Sequence, residues 1–280
     1  MAPEGYSTLQ AVAENGVLHV VLDNPPVNVL GAVMMREVRD LLSAVREDSS
    51  VKVIVFESAN PEFFLAHVDI RVADRMDILR DLAASAPEGV NVFQLIGELI
   101  RRQPQVTIVK LAGKARGGGA EFVAAADLAF AAEETAALGQ VEALMGITPG
   151  GGGTQYLRER VGRNRAMEIV LTGDLVDART AASIGWINRA VPAADLDAYV
   201  SEVASKIAAL SDGVIAAAKK ALPPTEYGQG LAAENDAWAG LVELPAAQRI
   251  MGAALVSGAQ TPDGERDLET LLRTIAAQGA

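Results

Sequence analysis

With 280 residues, half of them hydrophobic and 21% charged, the chain is long enough for one large domain, or a main domain with an appendage. It has no cysteine, which excludes disulfides, thiolate metal sites and a cysteine nucleophile, and its two histidines, His19 and His67, are too few for a multi-histidine metal site. A formal net charge of −12 disfavours nucleic-acid binding, which calls for a basic face, and obliges any anionic substrate to find local Lys or Arg.

Residues 1–6 lack the basic start of a secretory signal, and no apolar run reaches bilayer-spanning length, so no membrane association and a cytoplasmic location are expected. Residues 17–22 read as a strand that ends at the turn Asp23-Asn24-Pro25-Pro26. Residues 33–45 have the apolar spacing of an amphipathic helix, and residues 51–56 form a second strand. The stretch 74–90, carrying Met76, Ile78 and Leu79, reads as a loop. A helix over 92–102 and a strand over 106–112 follow, and a glycine triplet then breaks into a helix over 120–126. Alternation continues through 128–131, 156–161 and 166–171 to a last strand over 186–191, which favours an α/β layered fold. Beyond about residue 194 the patterns are helical, over 195–210, 212–222, 231–244 and 246–256. We therefore divide the chain into an α/β core (1–194) and a helical C-terminal region (195–280).

Two glycine-rich segments carry a glutamate each. The first is Gly113-Lys114-Ala115-Arg116-Gly117-Gly118-Gly119-Ala120-Glu121. A strand that stops at a glycine triplet and restarts as a helix exposes N–H groups at a helix N-terminus, where they and the dipole attract negative charge. Glu121 would sit in the first turn, where the dipole is expected to keep its carboxylate ionised. The second segment runs from Gly139-Gln140-Val141-Glu142 to Gly150-Gly151-Gly152-Gly153-Thr154-Gln155. It is no phosphate loop, because no Gly-Lys-Ser/Thr follows the glycines. Two carboxylates beside exposed backbone amides are the parts needed to move protons next to a carbonyl while an oxyanion develops.

In combination these segments resemble the crotonase (enoyl-CoA hydratase/isomerase) superfamily. Its second motif, Gly-Gln-Pro-Glu-x-x-x-Gly-x-x-Pro-Gly-x-Gly-Gly-Thr-Gln, stands nearly intact here, with Val141 in place of the proline. Leu22-Asp23-Asn24-Pro25-Pro26-Val27-Asn28, Leu171-Thr172-Gly173 and Gly185-Trp186-Ile187-Asn188-Arg189 are similar to further landmarks, so the resemblance spans roughly residues 15 to 220. It implies an α/β, crotonase-like spiral of ββα units with C-terminal helices that support homotrimers or dimers of trimers. It also implies a thioester substrate, with coenzyme A as part of that substrate and no other cofactor.

Residues 64–70, Phe-Leu-Ala-His-Val-Asp-Ile, are similar to the family's Phe-x-Ala-Gly-x-Asp-Leu/Ile. By that resemblance the oxyanion hole is Val68 N–H with Gly118 N–H. Ala66, His67, Asp69, Ile70, Arg71 and Gly117 would contact substrate or coenzyme A, with Arg71 the better candidate for a phosphate. His67 departs from the usual glycine. We expect its imidazole to pack or hydrogen-bond away from the substrate; contact with the acyl group or a proton relay is the alternative. Arg116 would either steer coenzyme A or pair with a carboxylate. The stretch 74–90 would line the acyl pocket.

Retention of both glutamates points to hydration of a 2-enoyl thioester: Glu121 deprotonates the water and Glu142 manages the α-proton, or the labels are exchanged. Isomerisation, which generally needs only the second glutamate, is the runner-up. The segment 244–252 lacks the family's aromatic and basic pattern for coenzyme A. An acyl-carrier-protein thioester handled by a dehydratase or decarboxylase is thus a second alternative, and a non-enzymatic binding protein a third.

Overall fold

A computed structural model describes residues 5–278. The chain opens with the hairpin β1 (Leu9–Glu14) and β2 (Val17–Leu22), followed by helix α1 (Ala32–Val45) and strand β3 (Val53–Ser58). Next come β4 (Phe63–Leu65), α2 (Met76–Ser85), α3 (Val92–Arg101) and β5 (Val106–Leu111). Strand β6 (Lys114–Arg116) leads into α4 (Gly118–Ala125), followed by β7 (Leu128–Ala132), β8 (Ala137–Gly139) and α5 (Gly153–Val161). Helix α6 (Arg163–Thr172), β9 (Val176–Asp177), α7 (Ala178–Ser183) and β10 (Arg189–Val191) end the strand-bearing part. The rest is helical: α8 (Leu196–Ala208), α9 (Val214–Ala221), α10 (Gly228–Val242), α11 (Pro245–Val256), α12 (Pro262–Arg266) and α13 (Leu268–Gln278).

The strands form two sheets, ordered β1-β2-β3-β5-β7-β10 and β4-β6-β8-β9. Among the described residues, only β1 against β2 and β8 against β9 pair antiparallel. Strands β3, β5 and β7 lie in the first sheet, and each is followed by a short strand, β4, β6 or β8, in the second. A helix then carries the chain to the next turn. This is the expected spiral of ββα units. Parallel strands covered on both faces must be apolar throughout, and Val53, Ile54, Val55 and Phe56 of β3 are all buried. Helix α4 is buried on every face, so it lies inside the molecule rather than on it. Phe56 of β3, Phe64 of β4 and Phe122 of α4 meet edge to face, at 5.0 and 5.8 Å between centroids. That cluster ties both sheets to the helix that bears Glu121.

Several expectations are corrected. Residues 74–90 are not a loop: they contain α2, whose Ile78 and Leu82 are buried. The last strand covers only Arg189–Val191, because Trp186 is buried in the turn before it. Strand β1 went unread because it is an edge strand with Leu9 its only buried residue. Helix α4 begins inside the glycine triplet, two residues earlier than read. Beyond residue 194, α8 packs on β2, β3, β5 and β7. Helices α11 and α13 instead gather with Val141 and Met145 into a second apolar cluster beside the glycine motifs.

Candidate active site

The segment after β4 is pinned edge-on to the chain after β2. Ala66 N–H donates to Asn28 O (3.1 Å), Leu30 N–H to His67 O (2.8 Å) and Asp69 N–H to Leu30 O (3.1 Å). Asn28, in the left-handed region (φ 54°), uses its side-chain amide to bond Leu22 O, Ser58 Oγ and Phe64 O. The Asn-Pro-Pro corner therefore fixes the segment carrying Val68. Neither Val68 N–H nor Gly118 N–H finds an acceptor among the described residues.

The glycine triplet abuts this segment. A β-carbon on Gly118 would lie 2.4 Å from Val68 Cγ2, and one on Gly117 (φ 48°) would lie 2.6 Å from Glu142 Oε1. Close approach to the branched Val68 side chain favours glycine at Gly118, and the backbone angle requires it at Gly117.

Glu121, in the first turn of α4, is buried, and its Oε1 accepts from Gly151 N–H (2.8 Å) and Gly153 N–H (2.9 Å). Its pKa is raised well above the carboxylate range, first by burial and then by the negative charges of Glu142 and Glu234, which outweigh the two amide bonds. Burial and the neighbouring carboxylates thus oppose the ionised form that the helix dipole was expected to favour. Glu142 opens a 3-10 turn and is also buried, and its Oε2 has no hydrogen-bond partner among the described residues. Burial, aided by Glu234, pushes it up to about 7, against a backbone hydrogen bond and the positive charge of His67.

Both glutamates, with Val68, Gly117 and Gly118, line one cavity of about 900 Å³. Helix α2 supplies Met76, Leu79, Arg80 and Ala83, so the stretch expected to line an acyl pocket lies on the wall as a helix. Phe93 and Trp238, edge to face at 5.5 Å, belong to the same wall, as do Met251 and Leu255 of α11.

The model of the enoyl-CoA hydratase/isomerase family matches residues 12–247. The chain belongs to this family. YngF of Bacillus subtilis, assigned as an enoyl-CoA hydratase/isomerase, is 31% identical over 84% of the chain and 89% of its own length. A crystal structure from Streptomyces avermitilis, assigned as an enoyl-CoA hydratase, superposes with a TM-score of 0.96 at 68% identity, covering 98% of this chain and all of that one. A Bacillus anthracis enoyl-CoA hydratase is more distant, with a TM-score of 0.70 at 26% identity over 90% of this chain and 97% of that one.

Within this hydratase/isomerase scaffold, the residues expected to contact substrate divide. His67, Asp69, Ile70 and Gly117 line the cavity. Ala66 lies behind it, in a small cluster with Val27, Val29 and Phe63, and the exposed Arg71 is not part of the wall. The Asp69 carboxylate accepts from Arg71 N–H and Gln260 Nε2, both at 2.8 Å. A cation the motifs did not single out, Arg80, stands on the wall instead.

Arg116 pairs with carboxylates. Fully buried, it grips Glu269 through Nε (2.6 Å) and Nη2 (3.1 Å), and its Nη1 lies 3.5 Å from Glu265. His67 joins the same network: Nε2 meets Glu265 Oε1 at 3.0 Å, and Nδ1 meets Val68 O at 2.6 Å. With an acceptor at each nitrogen the ring is a double donor, the imidazolium, and both nitrogens are engaged by protein oxygens. Burial opposes this charge, but the hydrogen bond and charge of Glu265 outweigh it and raise the pKa above the ordinary 6.5. A raised folded-state pKa means stability that is whole below about pH 6.5 and lost as pH rises through the folded value. The stability lead of wild type over His67→Gln should therefore shrink as pH rises from 6 to 9. Urea unfolding at several pH values checks this; a lead that grows with pH would contradict it.

Sequence reading missed Glu234 of α10. It is buried and accepts from Gly152 N–H (2.6 Å), Thr154 N–H (2.8 Å) and Gln94 Nε2 (3.2 Å). Helix α10 is weakly patterned, and its one informative signal was a glutamate on a face otherwise bearing Leu231 and Trp238.

Proposed function

We propose that the protein reversibly hydrates a 2-enoyl-CoA thioester to a 3-hydroxyacyl-CoA through an enolate held by Val68 N–H and Gly118 N–H. The observation that carries this reading is the pair of buried glutamates on one cavity wall, both with raised proton affinity, beside two backbone N–H groups that find no acceptor among the described residues. Hydration needs one base and one acid at once, and a buried carboxylate pair sharing one proton supplies both. In the state with the pair's shared proton on Glu142, Glu121 takes a proton from water as the hydroxyl adds to the β-carbon. The electron pair moves to the thioester oxygen, where the two N–H groups stabilise it, roughly 3–4 kcal/mol for one donor. Glu142 then delivers its proton to the α-carbon, and the pair ends with its proton exchanged.

These steps need only side chains, backbone amides and the coenzyme A of the substrate. Family membership supports a homotrimer or a dimer of trimers. No helix among the described residues is long and apolar enough to cross a membrane, and we place the reaction in the cytoplasm.

The test follows loss of the conjugated-thioester absorbance of crotonyl-CoA. Wild type should turn over, and Glu121→Gln and Glu142→Gln should each lose roughly 10²–10⁴-fold in kcat, the usual worth of a positioned acid or base. Absence of turnover by folded wild type would sink this reading. Retained conversion of a 3-enoyl to a 2-enoyl thioester by Glu121→Gln would assign isomerisation instead.

A further inference from the structure

Four successive backbone amides of the second glycine motif alternate between two carboxylates. Gly151 and Gly153 N–H donate to Glu121 Oε1, and Gly152 and Thr154 N–H donate to Glu234. The Thr154 hydroxyl adds a further bond to Glu234 at 2.5 Å. The turn has Gly152 in the left-handed region (φ 100°) and starts α5, so its N–H groups project without intrahelical acceptors. A carboxylate on each side satisfies them.

Glu234 comes from the C-terminal region, and three other contacts dock its helix here. Leu231 O accepts from Gln94 Nε2 (2.9 Å), Asn235 Oδ1 accepts from Asn91 Nδ2 (3.1 Å), and Trp238 meets Phe93. Asn91 Nδ2 also donates to Gly150 O (2.8 Å), which ties the same turn to the N-terminus of α3. Residues 231, 234, 235 and 238 fall on one face of α10, so that face is built to hold the turn.

We infer that Glu234 is a positioning residue for Glu121: it holds the Gly152 and Thr154 amides so that Gly151 and Gly153 grip a single oxygen of Glu121 and leave Oε2 for the reaction. When ionised, its negative charge also acts on the pair, adding to the rise in proton affinity that burial begins at Glu121 and Glu142, and burial raises the pKa of Glu234 itself as well, against its hydrogen bonds from Thr154, Gln94 and Gly152. The titratable groups that share this field are Glu121 on α4, Glu142 in its 3-10 turn, and Tyr156 on α5 with Glu98 and Arg101 behind it. The inference rests on the hydratase reading for its kinetic consequence only.

The test uses full-length Glu234→Gln and Thr154→Val, the second keeping the charge while removing one donor. In Glu234→Gln, kcat for crotonyl-CoA should fall about 10–100-fold with KM within about threefold, as expected for a misplaced acid–base group. The pH profile of kcat/KM should move to lower pH, which a merely structural role would not cause. Amide hydrogen exchange should quicken in both variants across residues 150–156 and stay unchanged in the six-stranded sheet. The infrared band of the protonated carboxyl that Glu121→Gln removes should titrate at lower pH in Glu234→Gln but not in Thr154→Val. Exchange and infrared readings need no turnover, so they judge Glu234 even if wild type fails to hydrate crotonyl-CoA. Unchanged exchange at 150–156 would overturn the inference, and so would activity loss with an unmoved pH profile and infrared band. If Glu234→Gln does not fold, Thr154→Val decides by exchange at the turn.

Discussion

Gly118→Ala should lower kcat/KM for crotonyl-CoA by roughly 10²–10³-fold, the usual cost of losing one oxyanion donor. The added methyl would sit 2.4 Å from Val68 Cγ2, so the triplet and the 66–69 segment must part. That segment cannot retreat freely. Leu30 bonds it on both sides of Val68, and His67 anchors it to Glu265. The two N–H groups then diverge, and the developing enolate oxygen loses one of them. Because the donors act chiefly on the enolate, the loss should fall on kcat more than on KM. Steady-state kinetics with a melting curve checks this. Gly240→Ala is the control, since a β-carbon there meets nothing within 4 Å on an exposed helix position. A Gly118→Ala enzyme within threefold of wild type would remove Gly118 N–H from the proposed oxyanion hole.

Arg116→Met should be the most damaging substitution for stability. It removes the guanidinium shared by Glu265 and Glu269 and leaves two buried carboxylates facing a methionine. Breaking a buried ion pair from one side costs about 3–5 kcal/mol, which for a chain of this size lowers Tm on the order of 10 °C. The sign with pH follows from the carboxylates. Burial opposes the charged form of Glu265, and His67, Gln260 and Arg116 hold its pKa down; without Arg116 part of that support is lost, so protonation relieves the variant and its deficit should narrow as pH falls toward 5. Thermal unfolding of both proteins between pH 5 and 8 measures this. A deficit under 1 kcal/mol, or one that ignores pH, would show that the network contributes little. His67 alone should then not restore balance, because it bonds Glu265 and does not reach Glu269.

The long elements were legible for a plain reason. Strands such as β3 and β5 are buried on both faces and must be continuous runs of Val, Ile, Leu or Phe, and helix α1 must bury one stripe. The short strands β4, β6, β8 and β9 have two or three residues each. No periodicity can be read from so few, and only stacking from one turn of the spiral to the next makes them a sheet. Helix α2 reads as a loop in sequence because its exposed acidic and basic residues mask a buried pair, Ile78 and Leu82.

At the site, the sequence by itself determined which parts are present: the glycine triplet, Glu121, Glu142, the 64–70 segment and the family they mark. Those features are local, since a β-carbon is forbidden or a carboxylate supplied at a given position whatever lies elsewhere. The tertiary structure alone decided the charge states and the supporting contacts. Glu121 gains rather than loses proton affinity because the fold strips its water and sets Glu142 and Glu234 beside it. Arg116 and His67 turn to Glu265 and Glu269, carboxylates roughly 150 to 200 residues further along the chain. Burial and long-range charge depend on what the whole chain brings together, and no local pattern of residues encodes them.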